Sequence, residues 1–205
     1  MVLIVGIVAL IGSCKKDEES TAATTTSVTT TTASGSITVG SETLSGTYVS
    51  ACNTTNFAAA AGTQFFPSDV KSGKTVIVVT SDTTFSDETL MYTDTSCSTP
   101  SAYSKNGNTS VTVGVASGSN YLVTYTSSTY KVQADTTVAE THLEAYLLAA
   151  TGSAVDLTVG TEYSMSGSGS SYKNLWSVTS TTYQAGDEDR DTYPTEMDSM
   201  VMTKQ

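Results

Sequence analysis

Between Val111 and Ala134 the apolar side chains fall on every second position. Val111, Val113 and Val115 alternate with Thr112, Gly114 and Ala116. Tyr121, Val123 and Tyr125 alternate in the same way with Leu122, Thr124 and Thr126. A period of two marks a strand with one buried face, because successive side chains leave the backbone on opposite sides. After Ser127-Ser128 the parity reverses, and Tyr130, Val132 and Ala134 take over the apolar positions. A one-residue slip moves every later side chain to the other face, so this reversal predicts a bulge or a tight turn at the two serines.

Further strands are expected at Leu44–Ala51, Lys74–Thr80, Thr84–Thr93, Val155–Val159, Leu175–Tyr183 and Ser199–Thr203, with Gly, Asn, Ser and Asp between them. Thr, Tyr and Val favour strands, and only 14% of residues are charged. One segment departs from the pattern. Thr137-Val-Ala-Glu140 reads as a capping box, Ala139, Leu143, Tyr146, Leu147 and Ala150 follow at helical spacing, and Gly152 can end the helix. Eight or nine sequential strands with short turns favour pairing between neighbours, and closure removes exposed edges. The expected fold is all-β: an antiparallel up-and-down β-barrel with one helix. The alternative is a β-sandwich.

The amino-terminal 13 residues carry no charged side chain. They are too short to span a bilayer, which needs about 20 apolar residues, and they suit the apolar region of a secretory signal. They end in Ile11-Gly12-Ser13-Cys14, which resembles the lipobox of bacterial lipoproteins. That resemblance implies a signal peptide over 1–13 and a lipid on Cys14, the first mature residue. The only positive charge before Cys14 is the amino terminus, so the translated start is expected a few residues upstream. Two or three acyl chains give a lasting anchor where a single chain does not. Lys15-Lys16-Asp17-Glu18-Glu19 is similar to the signal that sends lipoproteins of the Bacteroidota to the cell surface, and reads equally as a solvated spacer. The expected location is the outer membrane, on its periplasmic face or at the cell surface.

Twelve of the 17 residues from Ser20 to Ser36 are Ser or Thr. Such a segment has little to bury and cannot offset its ordering entropy. Residues 14–36 are therefore expected to form a disordered lipidated linker, its Ser/Thr-rich part spanning roughly 20–25 Å as a coil. Residues 37–205 form the β domain. With Cys14 assigned to lipid, Cys52 and Cys97 remain as an even pair in an exported chain, which predicts a disulfide.

Leu44-Ser-Gly-Thr-Tyr-Val-Ser-Ala-Cys52, Tyr92-Thr-Asp-Thr-Ser-Cys97 and Gly186-Asp-Glu-Asp-Arg-Asp-Thr-Tyr-Pro-Thr-Glu-Met-Asp198 together resemble lipocalin-like bacterial lipoproteins. They correspond to the opening strand with its following cysteine, the second cysteine, and the closing strand. Tyr48 stands where that group has Trp, and the one Trp here is Trp176. The resemblance implies a barrel that closes on itself.

A net charge of −11 with a single Arg argues against nucleic acid, which requires a basic face. Asp187, Asp189 and Asp191 with Asp198 loosely echo a calcium loop. Its sixth position is Thr192 and Pro194 interrupts it, so the run reads as a solvated acidic turn. Two thiols and a distant His142 lack metal-ligand spacing. Glu140 and Glu144 on the helix read as solvated, and His142 lies off the apolar stripe with no catalytic partner nearby. No nucleophile elbow, phosphate loop or cofactor fingerprint is present, so neither catalysis nor a cofactor is expected. The expected function is a membrane-anchored barrel binding a small apolar or amphipathic molecule against its tyrosines. The alternative is a structural or adhesion protein of the cell surface, with a packed barrel and a surface partner.

Overall fold

The structure is a computed structural model that describes residues 31–205. The expected signal peptide, Cys14 and most of the linker lie outside the described residues. A hairpin of β1 (Ser36–Val39) and β2 (Glu42–Ser45) leads into β3 (Thr47–Ser50), a short helix α1 (Thr55–Ala60), β4 (Ser72–Val79) and β5 (Phe85–Tyr92). Two long strands follow, β6 (Pro100–Ser117) and β7 (Asn120–Ala134), and then helix α2 (Thr137–Thr151). The chain ends with β8 (Tyr163–Ser166), β9 (Ser171–Val178), β10 (Thr182–Ala185) and β11 (Met202–Lys204).

Eight of these strands close a ring in the order β6-β5-β4-β3-β11-β10-β9-β7, with β7 returning to β6. Every pairing is antiparallel. β8 adds to the ring as an extra strand along the distal half of β7. The expected barrel is present and the sandwich is not. The rungs are uneven. β4 and β5 share eight residue pairs, whereas β10 and β11 meet only at Thr182↔Thr203 and Tyr183↔Met202.

The parity reversal in β7 is a bulge. Gly107 pairs with Thr129 and Asn108 with Ser127, so Ser128 has no partner across the ladder. Its hydroxyl donates to the Gly107 carbonyl at 2.8 Å. At this point β7 also changes neighbours: Tyr121–Thr126 pair with β9, and Thr129–Val132 with β8. The extra residue twists the strand and lets it serve two apolar clusters. Val123 and Tyr125 join Tyr48, Phe85, Trp176 and Tyr183 inside the barrel, with Ile37, Val39 and Leu44 of the β1–β2 hairpin closing that end. Val132 and Ala134 pack with Met91, Ala102 and the buried face of α2, Ala139, Leu143 and Leu147.

Several boundaries differ from expectation for local reasons. Leu44–Ala51 is two strands, because Gly46 at φ +88° turns the chain between them. Leu175–Tyr183 is a hairpin, closed where the Thr179 amide donates to the Thr182 carbonyl at 3.0 Å. Val155–Val159 is not a strand. Leu157 is buried beneath α2, and its amide donates to Glu144 Oε1 at 2.9 Å. The helix cap is Thr136, one residue earlier than expected, with its hydroxyl accepting the Ala139 amide at 3.0 Å. Gly152 ends the helix in the left-handed conformation, as expected. The last residues of the expected linker lie against the barrel: Ser36 belongs to β1, and the Ser34 amide donates to the Val79 carbonyl.

Cys52 and Cys97 form the expected disulfide, with Cα atoms 5.9 Å apart. It ties the exit of β3 to the loop between β5 and β6.

Candidate functional site

The barrel interior is filled at one end and hollow at the other. Near the hairpin, Trp176 is 0% exposed and packs edge-on to Phe85 at 5.3 Å and to Tyr183 at 5.4 Å between ring centroids. Phe85 in turn meets Tyr125 edge-on at 5.0 Å. These T-shaped contacts fill the cross-section of a barrel of this size with side chains.

Beyond that aromatic layer lies a chamber of about 220 Å³. A single water needs about 10–15 Å³, so the space is large enough for a small molecule. Its walls carry Phe85, Tyr125 and Tyr183 on the aromatic side and Asp87, Asn174 and Glu188 on the polar side. A larger hollow of about 570 Å³, lined by Cys52, Asn56, Phe57 and Phe66, adjoins it and shares Thr75, Asp198 and Met200 as lining. It forms a vestibule beside the disulfide.

Asp87 reaches the chamber because of strand parity. Phe85 points inward, so Asp87 two residues later does as well, and in register it sits between Ile77 of β4 and Asn106 of β6. Its Oδ1 is buried without a hydrogen-bond partner. Burial, then the charges of Glu188 and Glu88, push its carboxyl up to about 7. The adjacent Glu88 points to the opposite face. It is fully buried there, accepts from Ser86 at 2.8 Å and Thr31 at 2.6 Å, and faces Lys105 Nζ at 3.7 Å.

Glu188 enters from the irregular stretch between β10 and β11. The Gly186 amide donates to the Leu175 carbonyl at 2.8 Å, and Asp189 exchanges backbone hydrogen bonds with Lys173, so residues 186–189 run along β9. The Tyr125 hydroxyl donates to Glu188 Oε2, and Asn174 Nδ2 donates to the same hydroxyl at 3.3 Å. Tyr183 is 2% exposed and lines the chamber. Its hydroxyl makes no hydrogen bond to a described residue. Burial, then Asp87 and Glu188, raise its pKa well above the usual tyrosine value.

The residues singled out from sequence divide between the chamber and other places. Asp187 and Asp198 line the chamber. Asp189 turns back on its own loop, with Oδ1 accepting the Asp191 amide at 2.7 Å and the Thr192 amide at 2.8 Å. Those amide bonds hold its carboxyl below the usual range. Among the described residues, no three Asp, Glu, His or Cys side chains converge into a metal-binding group. Glu144 is spent on the Leu157 amide, and His142 is half-buried with Nε2 unpaired. Asp87, Asn174 and Glu188 were missed. The available signal was Asp87, a charge in the inward parity of Phe85-Ser-Asp-Glu-Thr-Leu-Met91.

No family model matches the chain, and no curated protein matches it.

Proposed function

We propose that this chain is a lipocalin-like bacterial lipoprotein, anchored through Cys14 in the outer membrane, whose barrel holds a small amphipathic molecule without transforming it. The observation that carries this reading is the half-hollow interior: an aromatic floor, a polar wall and a vestibule leading to them. Small-molecule sites combine apolar walls with a few placed polar groups in this way. The chamber is small for such sites, which run to about 300–1,000 Å³, so the occupant is small. The lining offers carboxylates, tyrosines and amides.

Native mass spectrometry of protein extracted gently from cells tests both parts. The expected spectrum shows a mature chain beginning at a lipid-modified Cys14 and carrying a small adduct. An unmodified Cys14 or an intact Met1 overturns the anchor, and a bare protein overturns the ligand. The dense packing around Trp176 supports a second reading, a structural or adhesion protein of the cell surface. Cross-linking on intact cells that captured a protein or glycan partner would favour it.

A further inference from the structure

The chamber's charge is one-sided. Asp87 and Glu188 face it, and Asp187 and Asp198 stand in its lining, with no Lys, Arg or His among the lining residues. The nearest base on β6, Lys105, is engaged with Glu88 on the opposite face. One polar group in the chamber waits for a partner. Asp87 Oδ1 is buried and unpaired, and the buried Tyr183 lines the same space with a hydroxyl that can serve as a second contact. Leaving a buried carboxylate unpaired is costly unless something neutralises it.

The facing wall is aromatic. Phe85 and Tyr125 present rings within the same space, and a ring face attracts a cation. An anion would meet carboxylates. A neutral guest would leave the Asp87 carboxylate without a counter-charge. A divalent ion would need oxygen ligands that do not converge here.

We propose that the chamber takes a small organic amine in its protonated form, with Asp87 as counter-ion, the Tyr183 hydroxyl as a second contact, and Phe85 and Tyr125 against the amine's apolar part. The proposal rests on the ligand-binding reading above and specifies the class of guest. Glu188, held by Tyr125, contributes long-range attraction from the mouth of the chamber.

The test is calorimetry on the full-length protein in zwitterionic nanodiscs, with empty discs subtracted. The probes are phenethylamine, phenethyl alcohol and phenylacetate, which share a ring and differ in the charge of the head. The expected order is amine first, alcohol weaker by about tenfold or more, and phenylacetate without measurable heat, in line with the cost of truncating a buried charge pair. Asp87→Asn keeps shape and removes the charge. It should abolish the amine's advantage while leaving the alcohol's affinity unchanged. Tyr183→Phe should weaken the amine severalfold. Thermal unfolding of each variant verifies that it is folded. If the alcohol binds as tightly as the amine, or Asp87→Asn binds the amine unchanged, the amine proposal is overturned and the ligand-binding reading stands. If none of the three binds, the proposal is overturned as well, and the ligand-binding reading then depends on the adduct sought in the native spectrum.

Discussion

The hydroxyl of Tyr125 donates to the carboxylate of Glu188, joining the inner face of β7 to the irregular chain between β10 and β11. Asn174 of β9 completes the link by donating to the same hydroxyl. Tyr125→Phe removes the donor and keeps the ring. Glu188 is exposed, so the expected loss is modest, about 1 kcal/mol. Hydrogen exchange should rise at the amides of residues 186–191 and stay unchanged in β4 and β5. Unchanged protection over 186–191 would show that the backbone bonds to β9 hold that stretch unaided.

Asp87 makes stability fall with pH. Its folded value is about 7 against an ordinary 3.8. Between those values the folded protein binds a proton that the unfolded chain releases, so stability declines as pH rises through that window. The groups around it, Glu188, Glu88, Asp187 and Asp198, are all acidic, and Tyr125 and Tyr183 stay neutral there. Asp94 behaves oppositely: hydroxyl and amide hydrogen bonds depress its carboxyl, so its contribution fades only below the ordinary carboxylate range. In denaturant titrations, Asp87→Asn should exceed the native protein in stability at pH 8 by on the order of 2–4 kcal/mol and match it near pH 4. Parallel curves at both pH values would refute the buried-acid assignment.

The disulfide closes a 45-residue separation. In the chain-entropy model that constraint is worth about 4 kcal/mol. Replacing both Cys52 and Cys97 with Ser should lower the urea midpoint accordingly. Because Cys52 lines the vestibule, the same variant should bind any chamber ligand more weakly even where it remains folded.

Deleting Ser128 restores unbroken parity through β7. Tyr130, Val132 and Ala134 then leave the face that packs on α2. Losing burial of these side chains costs about 3–6 kcal/mol, a large part of the stability of a domain this size. The expected result is loss of cooperative unfolding by circular dichroism. Replacing Ser128 with Ala, which keeps the extra residue, should cost about 1 kcal/mol.

Thr136 and Thr137 are adjacent but unequal. Thr136 caps α2 and donates to Asp69 at 2.7 Å, whereas the side chain of Thr137 is exposed. Thr136→Ala should cost about 1–2 kcal/mol and Thr137→Ala almost nothing, measured by thermal melts.

What could be read from the sequence was what repeats locally. Alternation exposed the barrel strands, and the reversal at Ser127-Ser128 marked the bulge. What could not be read depended on distant partners. Val155–Val159 has the β-branched content of a strand, but Glu144 supplies the hydrogen bond to Leu157 from a helix. Leu175–Tyr183 has strand formers on both sides of a turn, and the inward parity switches across it, from Trp176 and Val178 to Tyr183 and Ala185. The site was hardest. Asp87 was visible as a charge at an inward position, but its neighbour Glu188 comes from a segment that the acidic run had marked only as a turn. Nothing local in Asp187–Asp191 says which carboxylate faces inward; that is decided by the ladder between Lys173 and Asp189.

A closed barrel has no free edge, yet this one is fastened unevenly around its circumference. Where β10 meets β11, beside the chamber, two ladder pairs and one bond from the Lys204 amide to the Thr181 carbonyl hold the wall, and Tyr183 and Met202, which form one of the pairs, also line the hollow. Parting β4 from β5 breaks eight pairs; parting this seam breaks two pairs and that one bond. Local breathing at low cost is thus concentrated at the flank of the cavity, while the rest of the ring stays zipped.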